Sequence, residues 1–143
     1  MRRKKATDIV ITQSSKAYDT TDTTEVRLLF YEKYKDNVTF EYKETSGSKV
    51  YVTVSDDQLS CMRIGDSNTF CRFVMHEKTQ LIKDTEIDTH LFETYTKNII
   101  QNDDKIMIQY DLMIDGDIID TISMTWEISW NEECHRNKTE TSD

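Results

Sequence analysis

Few residues of this chain could do chemistry, and their spacing limits what they could do. The histidines His76, His90 and His135 are scattered, and no G-x-S-x-G sets a serine on a nucleophile elbow. A triad needs a nucleophile, a base and an orienting acid, and nothing here marks such a set. Cys61, Cys71 and Cys134 form no C-x-x-C pair. His135 beside Cys134 supplies two metal-ligand types, short of the four that close a structural zinc site. Asp115, Asp117 and Asp120 cluster, but a calcium loop needs D-x-D-x-D-G with a later glutamate. Solvated hairpin acids are the plainer reading. Gly47, Gly65 and Gly116 stand too far apart for a phosphate-cradling loop. These residue types predict no enzyme, no metal and no other cofactor.

Two polar residues break into apolar series. Arg63 continues the parity of Leu59 and Cys61, and Asp120 continues that of Ile118 and Ile122. Both stand near expected strand ends, hence at the mouth of a barrel. In one reading Arg63 holds an acidic head group inside an apolar interior that includes Tyr110 and Trp126. In the other it closes the barrel end and satisfies a carboxylate or backbone carbonyls, because a buried unpaired charge is costly. A bulge would carry Asp120 to the outside.

The elements that position these residues are strands. Ile, Val and Thr number 40 together, against 2 Ala and 6 Leu. β-Branched side chains suit pleated surfaces, whereas Ala and Leu suit helices. Ile106, Ile108, Tyr110, Leu112 and Ile114 alternate with polar or Met positions. Asp115-Gly116 then signals a hairpin. Ile118, Ile122, Met124, Trp126, Ile128 and Trp130 share one face of the return strand. Val38, Phe40 and Tyr42 alternate, Ser46-Gly47-Ser48 turns the chain, and Val50, Val52 and Val54 alternate again. Within residues 79–101, Leu91, Tyr95 and Ile99 have helical spacing, but the threonines favour two strands. Turn signals about every ten residues predict an all-β chain: a single antiparallel β-barrel, closed or nearly closed, of about 8–10 strands. The bulky inward set of Phe30, Tyr34, Phe40, Tyr42, Tyr110, Trp126 and Trp130 predicts a narrow or filled interior. Leu29, Tyr31, Met107, Met113 and Ile119 fall on the outward parity and would form a partner patch if they converge.

Short motifs then point to a family. Arg63-Ile64-Gly65 matches an R-x-G signature, and Tyr110 to Gly116 matches Y-x-L-x-I-x-G. Thr85 and Thr96 stand at the spacing of two threonines that bracket the middle strands. In these the chain, over roughly residues 7–130, resembles the YwiB-like family of small bacterial proteins of unknown function. The resemblance implies a calycin-like barrel, related in shape to lipocalins, and no activity. One departure is that Glu86-Ile87-Asp88 stands where the family has a Pro-aromatic-Gly turn.

The 143 residues are expected to form one domain, with a basic tail at 1–6 and a polar tail at 131–143. The net charge of -9 predicts repulsion of nucleic acids and anionic membranes. The basic run Arg2-Arg3-Lys4-Lys5 reads as a solvated tail. The apolar run Ile9-Val10-Ile11 is too short for a signal peptide or a span, and the odd cysteine count suits a reducing compartment. A cytoplasmic monomer or homodimer is expected. Its partner would be a small apolar ligand with an acidic group. The alternative is a protein-interaction or structural barrel with a filled core, acting through its outer face.

Overall fold

A computed structural model describes residues 3–102 and 104–133. They form ten strands: β1 Arg3–Ser15, β2 Thr20–Tyr34, β3 Asn37–Lys43, β4 Lys49–Ser55, β5 Gln58–Ile64, β6 Asn68–Val74, β7 Lys78–Asp84, β8 Thr89–Gln101, β9 Lys105–Ile114 and β10 Asp117–Glu133. Each strand pairs antiparallel with its chain neighbours, and β1 pairs with β10 to close the barrel. Closure gives every strand a neighbour on both sides. Cys134, His135 and Asp103 lie outside the described residues.

The ladder reaches further than apolar patterning indicated. Arg3 pairs with Glu133 and Ala6 with Trp130. Part of each segment read as a tail is therefore strand. Backbone hydrogen bonds give these residues reason to pair without apolar alternation to announce it.

The core fills from alternate positions. Ile9, Phe40, Val52, Val54, Leu59 and Ile108 are wholly buried, and β3 and β4 alternate buried and half-exposed residues along their length. Four bulges then change which face a residue takes. They fall between Ala6 and Asp8, Leu28 and Phe30, Thr96 and Asn98, and Ile118 and Asp120. One extra residue reverses the side-chain parity beyond it.

Several inward and outward assignments change for that reason. Past the β2 bulge, Phe30 and Tyr34 face outward, 46% and 67% exposed. Tyr31 turns inward and meets the Trp130 ring edge-on, centroids 5.2 Å apart. Ile118 is 60% exposed, because the β10 bulge separates it from the inward series. Met113 is buried too, on β9, which carries no bulge of its own. Leu29 and Ile119 remain exposed but lie toward opposite ends of the barrel, so these outward positions do not converge on one patch. The β8 bulge explains the helical spacing too: Ile99 is buried with the core while Leu91, before the bulge, is exposed.

Two turns close as backbone chemistry requires. Asp115 and Gly116 have φ of 51° and 85°, the paired positive values of a type I′ hairpin. Glu86-Ile87-Asp88 also forms a tight turn, without proline or glycine. The Thr85 N–H donates to the Asp88 carbonyl at 2.9 Å, and the Thr85 hydroxyl accepts from the Asp88 N–H at 3.2 Å. A threonine hydroxyl thus does the work of the family's turn residues.

Candidate functional site

The interior retains a hollow of about 250 Å³. Apolar lining comes from Val50, Phe73, Leu81, Met124 and Trp126, and polar lining from Gln13, Thr69, Glu44 and Arg63. Tyr42, Tyr110, Cys61 and Cys71 complete the wall. A second hollow of about 230 Å³ shares Gln13, Tyr42, Glu44, Arg63 and Met124 and reaches the β3–β4 turn at Thr45 and Ser46. Arg63 and Glu44 therefore border both spaces. Arg63 on β5, Tyr110 on β9 and Trp126 on β10 line one cavity. The interior is narrow, as expected, but it is not filled.

Asp120 lines neither hollow. The bulge falls at Ile119, so Asp120 still registers with Leu112. Its carboxylate accepts from the Ser15 hydroxyl at 2.6 Å and the Ala17 N–H at 2.9 Å. Burial raises its pKa, but these hydrogen bonds outweigh that and hold it below the ordinary value. Asp120 ties the β1–β2 turn to β10.

The R-x-G signature has a local explanation. The β3–β4 turn is closed by the Glu44 N–H to the Ser48 carbonyl at 2.8 Å and the Gly47 N–H to the Glu44 carbonyl at 2.9 Å. Gly47 takes φ of 103°, open to glycine and strained for other residues. Glu44 then receives Arg63 Nε at 2.7 Å. Two residues on, Gly65 lies under Ser48, where an added Cβ would sit 2.9 Å from the Ser48 Cβ. Gly65→Ala is expected to destabilise by about 1–3 kcal/mol through this overlap. The double variant Gly65→Ala/Ser48→Gly should recover most of the loss in urea denaturation. No recovery would place the strain elsewhere.

The Arg63–Glu44 pair is partly open to solvent, its side chains 42% and 33% exposed. A guanidinium carries five N–H donors. Among the described residues only Nε is engaged by hydrogen bond.

The other wall residues are held rigidly. Trp126 Nε1 donates to the Tyr42 hydroxyl at 3.0 Å, and Phe40 meets the Trp126 ring at 6.1 Å. Phe73 and Tyr110 pack with centroids 4.6 Å apart. The Tyr110 hydroxyl has no hydrogen-bond partner among the described residues, and burial raises its pKa. Cys61 and Cys71 register directly across β5 and β6, and both are free thiols. Burial pushes Cys61 up to about 12 and Cys71 to about 11, the latter against hydrogen bonding from Thr94 and Thr79. Neutral thiols are poor nucleophiles at physiological pH. Among the described residues no three His, Cys, Asp or Glu side chains cluster as metal ligands. His90 reaches Asp88 at 2.9 Å on the surface, and His76 occupies an exposed turn with φ of 64°.

Glu44, Gln13 and Thr69 carry no motif of their own. Glu44 flanks the Ser46-Gly47-Ser48 turn, but only strand register brings it to Arg63. The outer face also holds a row that sequence parity did not connect. Tyr51, Met62, Phe70, Ile82 and Leu91 are successive cross-strand partners from β4 to β8. Met62, Phe70 and Leu91 are 38%, 45% and 60% exposed.

A ten-stranded closed antiparallel barrel around a small mixed cavity fits a calycin-like fold. Residues 7–125 match the model of a family described as a domain of unknown function, DUF1934, and the chain belongs to that family. The crystal structure of the ywiB protein from Bacillus subtilis is similar, with a TM-score of 0.63 and 21% identity over 88% of this chain and 93% of that one. At that identity the likeness shows the fold alone. None of the curated proteins matches. Among the described residues no helix is long and apolar enough to cross a membrane.

Proposed function

We propose that this barrel is a non-catalytic, cytoplasmic binding protein for one small, largely apolar molecule with an acidic group. The observation that carries the reading is the 250 Å³ hollow with an apolar wall and Arg63 at its edge. A dry cavity of about 150 Å³ accepts benzene. By that scale this one takes a ligand of roughly ten non-hydrogen atoms, such as a short-chain or monocyclic aromatic acid. Long-chain fatty acids are too large. Glu44 orients the guanidinium through Nε, and the remaining N–H groups serve the ligand's acid. The Tyr110 hydroxyl is a second polar partner. The Tyr42–Trp126 bond stiffens the wall, and the neutral thiols supply no reacting group.

The test is native mass spectrometry of protein purified from its own cells, followed by titration of 4-phenylbutyrate and octanoate against the tryptophan fluorescence of a Trp130→Phe variant, which leaves Trp126 as the one emitter. Arg63→Ala should weaken acid binding at least tenfold. It should cost only about 1 kcal/mol of stability or less, because the ion pair is partly exposed. Equal binding of the acids and their amides, or a large stability loss with binding intact, would overturn the reading.

A second reading rests on the apolar row from Tyr51 to Leu91. Contiguous exposed apolar residues suit an interface, and a second copy would meet the same row. In sedimentation velocity the wild type should then run as a dimer and Phe70→Lys as a monomer. A monomeric wild type at high concentration removes this reading.

A further inference from the structure

The barrel is sealed along most of its circumference, but the β1–β2 seam opens at one end. The ladder between these strands runs from Ser15–Thr20 to Asp8–Arg27 and stops there. β1 continues back to Arg3 against β10 alone. β2 continues through Leu28, Leu29 and Phe30 beside β3 alone. A bulge lies on each strand at the point of separation, at Thr7 on β1 and at Leu29 on β2. Bulges bend strands and end pairing, so the opening is written into both strands. It holds a hollow of about 580 Å³ lined by Lys5, Leu28, Leu29, Phe30 and Trp130 among others. Leu29 and Phe30 are 52% and 46% exposed there.

Three properties of this seam specify an occupant. The outer edge of β1 from Arg3 to Thr7 has no ladder partner among the described strands, and unpaired strand edges template another strand. Leu29, Phe30 and Trp130 provide an apolar wall for the alternate side chains of such a strand. Of the residues that line the hollow, Lys5 and Lys33 are cations and none is a carboxylate. An acidic extended segment is drawn to these cations.

We propose that the open end of the β1–β2 seam is a peptide-binding site that takes an extended segment of another protein, adding as a strand to β1, with acidic residues alternating with apolar ones. The site is separate from the interior cavity and stands or falls independently of the ligand reading.

The experiment selects binders from a random linear peptide library on the full chain, with Lys5→Glu/Phe30→Asp as the counter-target after a thermal melt shows that variant folded. Selected peptides should alternate acidic and apolar residues and bind the wild type at least tenfold more tightly than the variant. Methylating every second amide nitrogen should reduce affinity at least tenfold, since strand addition needs those donors. Amide shifts should concentrate at Lys5, Ala6 and Thr7. No enrichment, basic or unpatterned winners, or indifference to N-methylation overturns the proposal. So does wild-type dimerisation through the seam that leaves peptides unbound. If the variant does not fold, Leu29→Asp serves as the counter-target with the same readouts.

Discussion

Trp126→Ala is expected to lower folding stability by about 3–5 kcal/mol, the range for deleting a fully buried large aromatic. Trp126 is 1% exposed and touches the core from two directions. Phe40 packs against its ring, and the Tyr42 hydroxyl accepts its N–H at 3.0 Å. Alanine removes the ring and leaves a void beside the existing hollow. It also strands the Tyr42 hydroxyl, which is itself buried. At about 2–4 °C per kcal/mol for a chain near this size, the melting temperature should fall by on the order of 10 °C. Tyr42→Phe separates the two contributions. It keeps the ring packing and leaves a buried indole N–H unsatisfied, a loss of about 1–3 kcal/mol. Trp126→Ala melting within a degree or two of wild type would mean that the barrel wall does not depend on this contact.

Raising the pH from 8 to 11 is expected to destabilise the protein by on the order of 3–5 kcal/mol, before any general alkaline effect. Cys61 and Cys71 carry the shift. Their ordinary value is 9.0, and burial raises them in the folded chain to about 12 and about 11. Between those values the folded chain holds protons that the unfolded chain has released. Stability is complete below about pH 9 and is lost as pH climbs toward the folded values. Half-buried Cys61 contributes less than its full share. Burial moves the Tyr42 and Tyr110 phenols the same way, adding to the decline at the alkaline end. Urea midpoints measured under reducing conditions should fall steadily from pH 9 to pH 11. Cys61→Ala/Cys71→Ala should flatten that slope, although it starts from a lower stability. Identical slopes in the two proteins would remove the thiols as the cause.

The site was partly legible in the residues. Arg63, Tyr110 and Trp126 share inward parity, and no bulge intervenes between them and the cavity, so they line one hollow. Asp120 shares that parity, yet its carboxylate is taken by Ser15 and the Ala17 N–H. Parity reports a face of a strand. It does not report which neighbour reaches the group first. Glu44 was invisible as a partner for the same reason, since the β3–β4 turn and the end of β5 meet only through register.

Alternation of apolar and polar residues was enough to specify strands, their approximate number and closure, because a one-sided apolar ribbon must bury that side. Residue types were also enough to place Asp115-Gly116 in a tight hairpin, since backbone φ is a local property. Bulge positions were beyond reach from sequence. An extra residue is recognised only against the strand it fails to pair with, and it reverses every side chain that follows. Phe30, Tyr31, Tyr34 and Ile118 changed faces on that account alone. The same long-range pairing decided that the wall leaves a cavity, that Arg63 meets Glu44 and that the β1–β2 seam opens where two bulges coincide.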